Sequence, residues 1–63
     1  MKYVALWSPS QKCFHVETKE EMLERNIAQC MRNSCADYIT LGIYSTREEC
    51  NDLIELIKKR RAA

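Results

Sequence analysis

Cys13, His15 and Glu17 stand at every second position of the stretch KCFHVE. In composition they resemble a nucleophile, a base and an orienting acid. An extended strand would put all three on one face. Same-face neighbours on a strand lie about 7 Å apart at Cα, too far for a dependable proton relay across a flat sheet. Catalysis is therefore not expected. A metal reading starts from the same residues. Cys13-x-His15 offers two ligands, and Cys30 and Cys35 of CMRNSC offer two more. Zinc takes four N or S ligands in a tetrahedron. The Cys30 and Cys35 spacing lacks a matching second pair. The expected fold also sets Cys13 and His15 on the far side of a sheet from Cys30 and Cys50. No metal site and no cofactor is expected. The chain also lacks a glycine-rich phosphate loop.

The four cysteines of this 63-residue chain read as free thiols, mainly buried small apolar residues. Cys30 and Cys50 are expected as neighbours between two helices, able to oxidise in vitro. Lys2 is followed by only five uninterrupted apolar residues, too few for a signal peptide. No run is long enough to span a bilayer. The expected setting is the cytoplasm. One glycine, one proline and an ordinary apolar share argue against disorder. A net charge of +1 gives no global field toward nucleic acid or membrane.

The elements that would position these residues follow from periodicity. KYVALWS reads as a strand, with Val4 and Leu6 on one face and Tyr3, Ala5 and Trp7 on the other. PSQ is turn chemistry. KCFHVE is a second strand, with Phe14 and Val16 opposite in sense to Cys13, His15 and Glu17. In TKEEMLERNIAQCMRN, Thr18 and Glu21 form a capping box. Met22, Leu23, Ile27, Cys30 and Met31 form an apolar stripe read as core. That helix should stop near Asn33 or Ser34 and turn through Cys35, Ala36 and Asp37. A third strand runs from Tyr38 to Tyr44, with Ile39, Leu41 and Ile43 facing the core. Thr46 and Glu49 cap a second helix, whose buried face is Cys50, Leu53, Ile54 and Ile57. Its basic end, Lys58 to Arg61, complements the helix dipole.

Burial alone favours a hairpin register that sets Leu6 opposite Phe14 and Val4 opposite Val16. This requires an odd-numbered loop, either Pro9 to Gln11 or Ser8 to Lys12. The helical crossover then places strand three beside strand one. The expected fold is a single α+β domain, a two-layer sandwich in ββαβα order. Its three-stranded antiparallel sheet has order 2-1-3, with both helices on one face.

In that arrangement the other face is open. It carries Tyr3, Ala5, Trp7, Cys13, His15, Glu17, Tyr38, Thr40, Gly42 and Tyr44, including four of the five aromatic residues and the only histidine. Tyr and Trp suit contact surfaces because a broad apolar body carries a polar handle. Gly42 marks a place where another surface comes close. The function expected is a small non-enzymatic binding module. It would act through Tyr3, Trp7, His15, Tyr38, Gly42 and Tyr44 on another protein or on a second copy of itself. The alternative is nucleic-acid binding by the same face, with Lys2, Lys12, Lys58, Lys59, Arg60 and Arg61 meeting phosphate. A thiol or metal-binding protein stands third.

Overall fold

A computed structural model describes residues 1–33 and 37–62. The chain runs β1 (Tyr3–Ser8), β2 (Cys13–Thr18), α1 (Lys19–Met31), β3 (Ile39–Tyr44) and α2 (Arg47–Ala62). The strands form one antiparallel sheet of order β2-β1-β3, so the α+β class, the ββαβα order and the strand order are those the sequence suggests.

Each helix starts where its capping residues say. The Thr18 hydroxyl accepts from the Glu21 N–H at 3.2 Å, and the Glu21 carboxylate accepts from the Thr18 N–H at 3.1 Å. Thr46 likewise accepts from the Glu49 N–H at 3.2 Å. At the end of α1, Asn33 adopts a left-handed conformation with φ 55. Its N–H donates to the Cys30 carbonyl at 3.1 Å, closing the last turn. Ser34, Cys35 and Ala36, part of the expected connection, lie outside the described residues.

The hairpin register differs from expectation by one residue. Leu6 pairs with His15, Ala5 with Val16 and Trp7 with Phe14. The loop is Pro9 to Lys12, four residues rather than an odd number. Lys12 closes it in a left-handed conformation with φ 55, and its N–H donates to the Ser8 carbonyl at 2.7 Å. The expected register rests on burial alone, with no glycine to mark a turn. In the structure Lys12 takes the left-handed position that closes the four-residue loop. The slip turns Phe14 and Val16 to the side of Tyr3, Ala5 and Trp7. His15 and Glu17 move to the side of Val4 and Leu6.

A second irregularity reorders β3. Gly42 pairs with Ala5 but Thr40 pairs with Leu6, leaving Leu41 as a bulge. Leu41 and Tyr44 pack beside Ala5, while Ile43 pairs with Val4. The expected grouping of Ile39, Leu41 and Ile43 on one face is therefore broken.

The helices do not share a face. Cys50 and Ile54 of α2 form a buried cluster with Ala5, surrounded by Tyr3, Phe14, Val16, Leu41, Tyr44 and Leu53. Arg25 of α1 instead reaches Glu17 and Tyr38, on the side of Val4 and Leu6. Val4, Ala5 and Leu6 are consecutive and all fully buried, which requires cover on both faces of the central strand. The sheet is thus the middle of the sandwich. Cys30 and Cys50 are consequently not neighbours: Cys50 is buried under α2, and Cys30 is exposed on α1.

Candidate functional site

The six residues expected to share an open face separate into two groups. Tyr3, Trp7, Gly42 and Tyr44 belong to the side that α2 covers. His15 and Tyr38 belong to the other. No aromatic platform stands open, because cations lie over most of the rings. Arg47 sits 5.0 Å from the Tyr3 ring centroid, Arg61 4.7 Å from Trp7 and Lys58 5.9 Å from Phe14. All three cations come from α2, Arg47 at its start and Lys58 and Arg61 at its basic end, so both ends of the helix are held to the aromatic side of the sheet.

Gly42 does mark a close approach, but within the chain. A Cβ there would lie 2.8 Å from Tyr44 Cε2 and 3.1 Å from Leu53 Cδ2. The approaching surface is α2.

The opposite side carries a polar cluster instead of a dry core. Arg25 Nη1 donates to Glu17 Oε2 at 3.0 Å, and the Arg25 guanidinium lies 4.2 Å above the Tyr38 ring. Tyr38 meets His15 edge-on at 5.2 Å between centroids. His15 belongs to β2 and Tyr38 immediately precedes β3, so the two rings meet across β1. Beside them, His15 Nε2 lies 3.2 Å from Cys13 Sγ and 3.0 Å from Gln11 Oε1. Of the Cys13, His15 and Glu17 relay, the Cys13–His15 step is within contact, although backbone spacing alone would keep the two apart. Glu17 pairs with Arg25 and does not reach His15 as an orienting acid. In the sequence Gln11 reads only as part of the PSQ turn, because its partners are set by the conformation of that turn.

Asp37, two residues before β3, pins that turn to the segment leading into the strand. Ser8 Oγ donates to Asp37 Oδ2, and Ser10 Oγ donates to the same oxygen at 2.7 Å. The Ser10 N–H reaches Asp37 Oδ1 at 3.3 Å. The Ser8 hydroxyl, then that of Ser10, hold the Asp37 carboxyl below the usual aspartate range, with a smaller contribution from His15.

The surface feature that sequence reasoning misplaced is on α1. Its half-buried residues are Met22, Arg25, Ala28 and Gln29. Leu23, Ile27 and Met31, assigned to the core by periodicity, are 45%, 60% and 80% exposed. They recur at i, i+4 and i+8 on the side turned away from the sheet, with exposed Cys30 beside them. The apolar stripe is real, but it faces solvent. Ile39 and Ile43 are also exposed on β3, an outer strand.

The basic residues do not converge. Lys2 Nζ donates to Ser45 Oγ at 3.3 Å, near the start of α2. Lys58, Lys59, Arg60 and Arg61 lie at its other end, roughly 20 Å away by helical rise. Lys12 sits in the β1–β2 turn. Among the described residues, no group of three or more His, Cys, Asp or Glu side chains could hold a metal ion. No helix among the described residues is long and apolar enough to cross a membrane. Comparison of the chain with known protein families, with curated proteins and with solved structures gives no match.

Proposed function

We propose that this chain is a small non-enzymatic binding module whose contact surface is the outward stripe of α1 and whose partner is a second copy of the chain. The observation that carries the reading is the exposure of Leu23, Ile27 and Met31 along one ridge. A soluble helix ordinarily turns such a ridge inward. The proposal keeps the binding role suggested by the sequence and moves it from the aromatic face, which α2 covers.

Self-pairing suits this ridge for three reasons. A two-fold axis at Ile27 sets Leu23 of each copy against Met31 of the other, since both lie four residues away. It opposes the two helix dipoles. It also brings the acidic first half of each helix, with Glu20 and Glu24, toward the Arg32 end of its partner. The i±4 ridges of two helices interdigitate in the commonest crossing class. A helix of 13 residues is only about 20 Å long. The interface falls at the small end of specific contacts, so association is weak, in the micromolar range or above. The reading keeps the protein in the cytoplasm, where Cys13, Cys30 and Cys50 would remain thiols.

Light scattering over a concentration series tests this. The wild type should rise from monomer toward dimer mass, and Ile27→Glu should stay monomeric. A wild type that is monomeric throughout, or an unchanged dimer in Ile27→Glu, contradicts the proposal.

A further inference from the structure

The Cys13 and His15 pair has no place in the binding module described above. Three described thiols of this chain occupy three different environments. Cys50 is buried, and that burial, followed by the neighbouring Glu49 charge, pushes its thiol up. Cys30 is exposed on α1. Cys13 is partly exposed, and its sulfur lies 3.2 Å from an imidazole nitrogen. We infer that Cys13 is a reactive thiol, activated by His15, that exchanges with low-molecular-weight disulfides such as glutathione disulfide.

The geometry supports each part of that exchange. Cys13 opens β2 directly after the turn, so its sulfur is reachable by a small molecule. In the tautomer that carries its own proton on Nδ1, His15 takes the thiol proton at Nε2. The resulting Nε2–H points at the thiolate and at Gln11 Oε1, 3.0 Å away, which holds the ring in place. Asp37 senses the His15 charge, so a carboxylate stands within electrostatic reach of the imidazolium. The other charged or titratable groups on this side are Tyr38, edge-on to the ring, and the mutually paired Arg25 and Glu17. The thiolate then attacks one sulfur of the disulfide. A new S–S bond forms to Cys13 as the old one breaks. The departing sulfur leaves as a thiolate and takes the proton from His15. Cys13 is oxidised, the departing sulfur is reduced, and no further reactant is needed. A metal reading is weaker here, because the pair supplies two ligands and no third gathers among the described residues.

The other thiols of the same molecule provide the control. The full chain is incubated with glutathione disulfide at about pH 6.5, where an unassisted thiol is almost wholly protonated. Mixed disulfides are then counted at each cysteine by peptide mass spectrometry. Cys13 should be modified at least about tenfold faster than exposed Cys30. His15→Gln should bring it down to the Cys30 rate. Equal rates at Cys13 and Cys30, or an unchanged Cys13 rate in a folded His15→Gln, overturn the inference. If that variant does not fold, the pH profile of wild-type Cys13 alkylation decides. An inflection clearly below that of Cys30 in the same molecule supports the pair. A single inflection near the ordinary thiol value, about 8.5, refutes it.

Discussion

On the α2 side of the sheet, Ala5, Cys50 and Ile54 form a dry cluster, and Arg47, Lys58 and Arg61 of α2 lie over Tyr3, Phe14 and Trp7 on that side. On the α1 side, Arg25, Glu17, Tyr38 and His15 lie over an equally buried central strand. Both helices carry an apolar stripe at helical spacing. The α2 stripe turns inward and the α1 stripe outward. Periodicity therefore identifies the stripe but not the surface it meets. Where a helix rests on the sheet through a polar pair, its apolar ridge is released for another use.

The largest effect should come from comparing the two stripes. Ile54→Ala removes a buried side chain and should cost about 2–5 kcal/mol, enough to unfold much of so small a domain. Ile27→Ala removes an exposed one and should change monomer stability by less than about 0.5 kcal/mol. Urea denaturation at concentrations too low for association checks both. Comparable losses would mean that the α1 stripe is packed within the monomer.

Gly42 sharpens the contrast from the α2 side. Gly42→Val drives methyl groups toward Tyr44 and Leu53 and should cost about 1–3 kcal/mol by overpacking. The same denaturation assay checks it, and an unchanged midpoint would mean that α2 sits further from β3. The smallest effect concerns acid. The folded-state values of Asp37 and Glu21 are both lowered, by the Ser8 hydroxyl and by the Thr18 cap respectively. Their stabilisation is present above the unfolded carboxyl range, about pH 4, and is lost as pH falls through the folded values. Asp37→Asn should flatten that acid limb in a thermal melt series from about pH 6 to pH 2. An acid limb identical to wild type would place the loss elsewhere.

Much of the fold is legible in the chain. Capping boxes at Thr18 and Thr46 mark both helix starts, and alternation marks three strands. The register is not, because it depends on Lys12 taking a conformation that nothing in its side chain requires. That one residue decides whether Phe14 joins Trp7 or Leu6. The bulge at Leu41 likewise leaves no compositional trace apart from Gly42 beside it. One signal does speak to the layers. Tyr3 to Trp7 is an unbroken apolar run, the mark of a strand covered on both faces. Read that way, it requires a helix on each side and leaves no open aromatic face. The contact between Cys13 and His15 depends on side-chain lean, which spacing along the backbone does not reveal.

The central claim is that Ile27 of one chain faces Ile27 of another. Oxidative cross-linking of Ile27→Cys, with Cys13, Cys30 and Cys35 changed to serine, tests it most directly. Glu48→Cys, exposed on α2, serves as the reference site in the same background. The account predicts rapid covalent dimer formation at position 27 and little at position 48. Equal cross-linking at both positions, or none at position 27, would contradict it.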